Sequence, residues 1–288
     1  MILSPAQIKE LCQRYGLSPS KSYGQHYLIS DNPIKKMIDA GELTKDDTVI
    51  EIGPGFGVLT LAVAPLVKKV IAFEIEQKLR PYWEEKMKEY PNIDIVWGNV
   101  LTQFQKNLNS KFQIPDSRYK ILANLPYHIT SDALRVMLEL DPKPAKIVVM
   151  VQKEVAERIC AKPPRMSLLS VAVQYYGEPR IVARVPAGAF WPRPKVDSAV
   201  VAITPQHPST QAPEHLVETE HFFRVVRAGF SQKRKQLWHN LSAGLQLDPI
   251  NVKAVLKEVA GNEKIRAEEL TVEQWKQVLR CWGAQVLK

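Results

Sequence analysis

The chain has 288 residues, 45% hydrophobic and 24% charged, which is material for one large domain and a smaller companion. No apolar run approaches the ~20 residues that span a bilayer, and three scattered cysteines (Cys12, Cys160, Cys281) form neither a CxxC pair nor a metal-spaced cluster, so a helical membrane protein and a disulfide scaffold are both excluded. The net charge of +9 divides as 25 basic against 20 acidic residues before Pro186 and 14 against 10 after it, as a polyanion-binding surface built from both halves or a merely solvated basic face would have it.

The opening "MILSPAQIKELCQRYG" has the periodicity of an amphipathic helix and not the form of a signal peptide, so a soluble, cytoplasmic protein with reduced thiols is expected. Five β-rich runs follow: "TVIEIG" (48–53), "KVIAFE" (69–74), "IDIVWG" (93–98), "KILAN" (120–124) and "KIVVMV" (146–151). Helix-like stretches near 58–66, 76–90 and 130–139 separate them, the rhythm of βαβ units in a parallel sheet covered on both faces. A sixth run, "SAVVAI" (198–203), precedes the Pro-rich, polar "QHPSTQAPEH" (206–215), which reads as a linker. Beyond it the pattern is helical: 220–230, 233–244, 249–260 and 271–282. The expected organisation is an α/β domain over 1–204, a linker over 205–215 and a small all-helical domain over 216–288.

Chemistry concentrates where these strands end. In "VIEIGPGFGVLT" (49–60), glycines at 53, 55 and 57 allow a tight turn and close approach of a ligand at the carboxyl edge of the sheet. An NAD fingerprint would need glycine at 58, where the chain has Val58, and Glu51 fits poorly beside a pyrophosphate, so a cofactor without phosphates is the better reading. Glu74 closes the second strand, 21 residues after Gly53, and a carboxylate there can accept from both hydroxyls of a ribose. Asn99 follows the third strand, where its amide can bond an adenine edge or simply shape a turn.

The fourth strand ends in "NLPY" (124–127) on the same edge. Pro126 has no N–H to donate and biases Leu125 towards an extended conformation. The Asn124 side-chain oxygen and a neighbouring carbonyl are thereby left to accept from one exocyclic amine, while Tyr127 offers a ring on which a flipped base can stack.

Taken with "GQHYLISD" (24–31), "FEIE" (73–76) and "FWPRPKVDSAV" (190–200), these motifs resemble the S-adenosylmethionine-dependent ribosomal RNA adenine N6-dimethyltransferases from about residue 16 to the C-terminus. "VQKEVAERI" (151–159), "FFRVVRAGFSQKRKQLWHNL" (222–241) and "RAEELTVEQW" (266–275) resemble the small-subunit branch (KsgA/RsmA type) rather than the large-subunit resistance methylases. The resemblance implies a Rossmann-like methyltransferase fold with a C-terminal helical RNA- or ribosome-binding domain. It implies that His26, Leu28, Gly53, Glu74, Asn99 and Asn124 line the S-adenosyl-L-methionine site and that Asn124, Tyr127 and Phe190 handle the target adenine, with the Leu125 carbonyl read as the second acceptor for its amine. The implied reaction is N6,N6-dimethylation of two adjacent adenines in the 3′-terminal hairpin loop of small-subunit rRNA, by a monomer acting on the immature subunit. The alternatives are a large-subunit resistance methylase and an assembly factor that acts chiefly by binding.

The chain departs from the family pattern at three places. Asn99 stands where Asp is common, His26 where Asn is frequent, and "AKPPRMSLLSV" (161–171) is short and lacks the usual glycine. Lys195, Lys233, Arg234 and Lys235 are candidates for RNA phosphates, although Lys195 could instead pair with Asp197. Trp238, Trp275 and Trp282 read as core of the helical domain, and the remaining histidines show no ligand spacing, so no metal is expected.

Overall fold

The computed structural model of the chain describes residues 2–17, 26–105, 119–206 and 213–282. They divide into two compact units, Met1–Ala156 with Gly177–Gln206, and Glu157–Tyr176 with His207–Lys288.

The first unit opens with helix α1 (Pro5–Arg14), whose N-cap Ser4 and N3 residue Gln7 form a reciprocal capping box. A short strand β1 (Tyr27–Leu28) and helix α2 (Asp31–Gly41) lead into the sheet. Its strands are β2 (Thr48–Ile52), β3 (Lys69–Glu74), β4 (Ile93–Trp97), β5 (Tyr119–Asn124), β6 (Lys146–Gln152), β7 (Gly177–Val185) and β9 (Ser198–Pro205), with β8 (Phe190–Trp191) between the last two. Helices α3 (Thr60–Val63), α4 (Arg80–Glu89), α5 (Val100–Gln105), α6 (Thr130–Glu139) and α7 (Lys153–Ile159) connect or follow the strands.

Among the described residues the sheet order is β4-β3-β2-β5-β6-β9-β7. The strands from β4 to β6 run parallel, and β9 pairs antiparallel with both β6 and β7. Strands buried on both faces need unbroken apolar runs. β2 and most of β6 are accordingly buried residue after residue. The chain steps outward from β2 to β3 and β4, then returns to lay β5 on the other side of β2. That reversal opens a crevice beyond the carboxyl ends of β2 and β5, the usual ligand position in such sheets.

The second unit holds α8 (Leu168–Tyr176), α9 (Pro213–Gly229), α10 (Leu237–Leu245), α11 (Pro249–Ala260) and α12 (Val272–Trp282). Residues 157–176, which the sequence reading kept within 1–204, cluster with the C-terminal helices. The physical reason is α8: Tyr175 stacks on Phe222 with ring centroids 4.3 Å apart and its hydroxyl meets Thr219 Oγ1 at 3.1 Å. Just before α8, the Met166 N–H donates to the Glu268 carbonyl at 3.0 Å. Helix α9 starts at Pro213, inside the stretch read as linker, whose residues 207–212 lie outside the described residues, as do Gly24 and Gln25 of "GQHYLISD". No described helix is long and apolar enough to cross a membrane.

Candidate active site

A cavity of about 510 Å³ occupies the crevice at the carboxyl ends of the strands. Each residue expected at the cofactor or the target base lines it: His26, Leu28, Gly53, Glu74, Asn99, Asn124, Leu125, Tyr127 and Phe190. These residues come from six separate places in the sequence, and the sheet order brings them to one edge.

The glycine loop is held from two sides. On one side, α4 ties down its carbonyls: Trp83 Nε1–H donates to the Gly55 oxygen at 3.1 Å and the Tyr82 hydroxyl to the Phe56 oxygen at 2.8 Å. On the other, Glu74 Oε2 accepts the Gly55 N–H at 3.0 Å while Oε1 accepts the Glu76 N–H at 2.8 Å. Glu74 is only 4% exposed, and burial raises its carboxyl above the usual range against the pull of those backbone bonds. Each of its oxygens keeps a second lone pair that can face a sugar hydroxyl. The sequence pointed to a ribose ligand at this position and missed the loop anchor.

Gly53 and Gly57 both sit at positive φ, +69° and +76°. A Cβ on Gly53 would meet nothing within 4 Å, so this residue opens on free space beside the cavity. A Cβ on Gly57 would lie 2.9 Å from Trp83 Cη2, so that glycine serves packing beneath the loop.

Beneath the loop, burial pushes the Glu51 carboxyl up to about 8, with the Thr60 hydroxyl opposing and the nearby Glu74 charge adding to the rise. Glu51, Glu74 and Glu76 all line the cavity, and no Lys or Arg does among the described residues. A phosphate would find carboxylates and no counter-charge there, whereas a cationic cofactor with a neutral sugar is well matched. S-adenosylmethionine has both properties.

Asn99 caps α5: its Oδ1 accepts the Leu101 N–H at 3.0 Å. Its amide N–H₂ group has no hydrogen-bond partner among the described residues and can donate to a ligand, where an aspartate could only accept. Asn124 ends β5, half-buried, and its side-chain amide has no hydrogen-bond partner among the described residues. Leu125 is pinned by its N–H to the Met150 carbonyl at 3.1 Å, and the Pro126 carbonyl accepts from Ile129 N–H and Thr130 Oγ1, both at 3.2 Å.

The aromatic side of the cavity depends on the antiparallel β1–β8 pair, which sets Leu28 opposite Phe190 and Tyr27 opposite Trp191. His26 Nδ1–H donates to the Pro192 carbonyl at 2.7 Å, since a carbonyl can only accept, and its ring lies 5.6 Å from that of Tyr127. The Tyr127 hydroxyl meets Ser198 Oγ at 2.9 Å; burial raises the phenol's pKa and that bond opposes the rise. Phe190 is 3% exposed, so only a small part of its ring faces the cavity. Ser198, Tyr27 and Phe56 were not singled out from sequence, and no local signal in the chain marks the Tyr127–Ser198 contact.

The basic candidates lie elsewhere. Lys195 is exposed between β8 and β9 in the first unit, and Asp197 accepts the Ala187 N–H at 2.9 Å instead of pairing with it. Lys233, Arg234 and Lys235 are exposed between α9 and α10 in the second unit.

A family model described as ribosomal RNA adenine dimethylase matches residues 17–282. The chain belongs to the ribosomal RNA adenine dimethylases. This dimethylase is 42% identical over 273 residues to a ribosomal RNA small subunit methyltransferase A from Dehalococcoides mccartyi, covering 95% of this chain and 91% of that one. Among solved structures, the 23S rRNA methyltransferase ErmE is similar at 25% identity and a TM-score of 0.69, over 88% of this chain and 98% of that one. A dimethyladenosine transferase from Plasmodium falciparum shares the fold at a TM-score of 0.74 and 24% identity, over 90% of this chain and 98% of that one. The dimethylase is thus a Rossmann-like methyltransferase with C-terminal helices, and S-adenosylmethionine is its methyl donor.

Proposed function

We propose that this dimethylase places two methyl groups on the N6 of each of two adjacent adenines in the 3′-terminal hairpin loop of small-subunit rRNA. Identity of 42% to a small-subunit enzyme, against 25% to a large-subunit one, supports the choice of subunit. The single observation that carries the chemistry is the side chain of Asn124 at the end of β5, without a hydrogen-bond partner among the described residues and lining the same cavity as the Glu74-anchored glycine loop.

When bound, the cofactor supplies an already activated methyl group, so the protein needs orientation more than acid–base power. Before the first transfer Asn124 Oδ1 and the Leu125 carbonyl would accept the two N6 hydrogens and orient the nitrogen, before the second one of them would hold the single N6–H that remains, and each transfer would release one proton from the nitrogen to water. Such positioning can supply roughly 7–11 kcal/mol of a barrier. Tyr127 and Phe190 hold the flipped base, with Ser198 fixing the Tyr127 ring. Glu74 accepts the ribose hydroxyls, and Asn99 donates to an acceptor on the cofactor adenine. His26, Leu28 and Gly53 border the methionine end. The helical unit, with Lys233, Arg234 and Lys235, and Lys195 in the first unit contact RNA phosphates of the immature subunit. The enzyme works as a monomer in the cytoplasm.

The test is methyl transfer from labelled cofactor to undermodified small subunits, large subunits and naked RNA. Label should enter small-subunit RNA; label in large-subunit RNA alone would overturn the assignment.

A further inference from the structure

The three tryptophans read from sequence as helical core separate in the structure. Trp275 is fully buried and Trp282 nearly so, whereas Trp238, in the first turn of α10, is only half-buried. Its indole is held in place by three neighbours. The His239 imidazole stacks on it with centroids 3.4 Å apart and 25° between planes, Lys253 Nζ of α11 lies 4.1 Å from the ring centroid, and the indole N–H donates to Gln236 Oε1 at 2.8 Å. His239 is exposed. One face of the imidazole is taken by the indole, and the residue is otherwise accessible to solvent.

The stretch of sequence that carries this stack is basic. From His221 to Lys257 there are seven lysines and arginines and a single acid, Asp248, while residues 258–288 carry five of each sign. Asp248 is engaged as the N-cap of α11, accepting the Ile250 N–H at 3.2 Å. Lys233, Arg234 and Lys235, all exposed, immediately precede α10. Holding a tryptophan, a histidine and a lysine in one arrangement at a surface costs side-chain entropy that little burial returns. A partner with phosphates for the cations and a flat ring for the imidazole would return it.

We propose that the His239–Trp238 stack is a platform for an unpaired base of the RNA, with Lys233, Arg234 and Lys235 on the neighbouring phosphates. None of these residues lines the methyl-transfer cavity, so the platform takes a nucleotide of its own. This rests on the reading of the chain as acting on RNA and adds a preference for unpaired over duplex RNA on the helical unit.

The experiment compares binding of two RNAs of equal length, one with an unpaired loop and one fully paired, over a range of salt. Wild type, His239→Ala, His239→Phe and the triple alanine variant of residues 233–235 are measured. His239→Ala should weaken loop binding by roughly 5- to 150-fold, the contribution of one base stack, leave duplex binding unchanged and leave the salt slope unchanged. His239→Phe keeps a flat ring and should retain loop binding. The triple variant should weaken both RNAs and flatten the dependence on salt, because fewer counterions are released. Because His239 is exposed, its variants should unfold at the wild-type temperature. Equal loss on both RNAs, no loss on the loop, or a phenylalanine variant as weak as the alanine one would overturn the platform. Displacement of loop RNA by polyglutamate, weakened by His239→Ala, would assign the patch to an acidic protein and overturn it too. If wild type binds neither RNA, the RNA reading itself falls.

Discussion

The hydroxyl of Tyr127, just after β5, lies 2.9 Å from the hydroxyl of Ser198, the first residue of β9. Ser198 is fully buried, so its only service to the cavity is through that contact, which fixes a ring proposed to stack on the target base. Ser198→Ala should raise KM for RNA about three- to tenfold, the worth of one neutral hydrogen bond of roughly 0.5–1.5 kcal/mol. The affinity for cofactor should stay as it is. Tyr127→Phe should give the same loss, and the double variant no more than either single one. Additive effects in steady-state kinetics would mean that the two hydroxyls act separately.

Asn124→Ala removes an acceptor that no described protein group uses, so the fold loses little. Turnover should fall about 100-fold or more, comparable to the loss of one preorganised hydrogen-bonding group in other active sites. Cofactor binding, followed by calorimetry, should remain within a few-fold. Normal turnover would remove Asn124 from the chemistry.

Much of this site could be read from the chain because its residues end strands that are long apolar runs. All six runs expected as strands exist; Glu74 and Asn124 are the last residues of β3 and β5, and Gly53 and Asn99 follow closely on β2 and β4. What escaped the sequence is what depends on distant partners. β7 is an edge strand, "GEPRIVARV", with only its first and last residues buried, and its Pro and scattered charges leave an apolar run of just three residues to read. Residues 157–176 joined the helical unit through the stacking of Tyr175 on Phe222, 47 positions away by their numbers. Glu74 as a loop anchor and Ser198 behind Tyr127 are likewise long-range contacts with no local signature. Trp238 could not be told from Trp275 by spacing, since both lie on helices of the same unit.

Glu51 gives the site a pH dependence with a definite sign. Its carboxyl rises from 4.5 to about 8 on folding because of burial, so the folded state holds a proton that the unfolded chain releases. Stability from this group is complete below pH 4.5 and is lost as pH climbs towards 8. Without ligand, the melting temperature of wild type should therefore fall relative to Glu51→Gln between about pH 5 and 8, and the gap should be constant above that. Glu74 is also raised but is present in both proteins, so it cancels in the comparison. A cationic cofactor favours the ionised carboxyl, and its affinity for wild type should increase through the same window. Parallel melting profiles for the two proteins would show that Glu51 does not titrate there.

Asp47 and Lys120 form a nearly buried ion pair at 2.8 Å, below the β2 and β5 strands that carry the site. Thr44 adds its N–H at 2.6 Å and its hydroxyl at 3.0 Å to the same Asp47 oxygen. Lys120→Met should cost about 3 kcal/mol in denaturant unfolding, the low end for stranding a buried charge, because Thr44 still holds the carboxylate. Recovery of stability at low pH, where Asp47 is protonated, would be expected of this variant and not of wild type.

Gly53 and Gly57 share a left-handed backbone but should fail differently when changed to alanine. Both variants bear the cost of a Cβ at positive φ, roughly 1–3 kcal/mol. At Gly57 the added carbon also meets Trp83 Cη2 at 2.9 Å and Leu61 Cγ at 3.1 Å, and moving Trp83 breaks its bond to the Gly55 carbonyl. Gly57→Ala should therefore have the lower melting temperature of the two. At Gly53 the new methyl meets no protein atom within 4 Å and instead occupies space beside the cavity. Gly53→Ala should keep most of its stability and lose cofactor affinity at least tenfold, an effect of about 1.4 kcal/mol or more. Calorimetric titration and thermal unfolding of the pair separate the two roles, and equal cofactor affinity in Gly53→Ala and wild type would move the cofactor away from this loop.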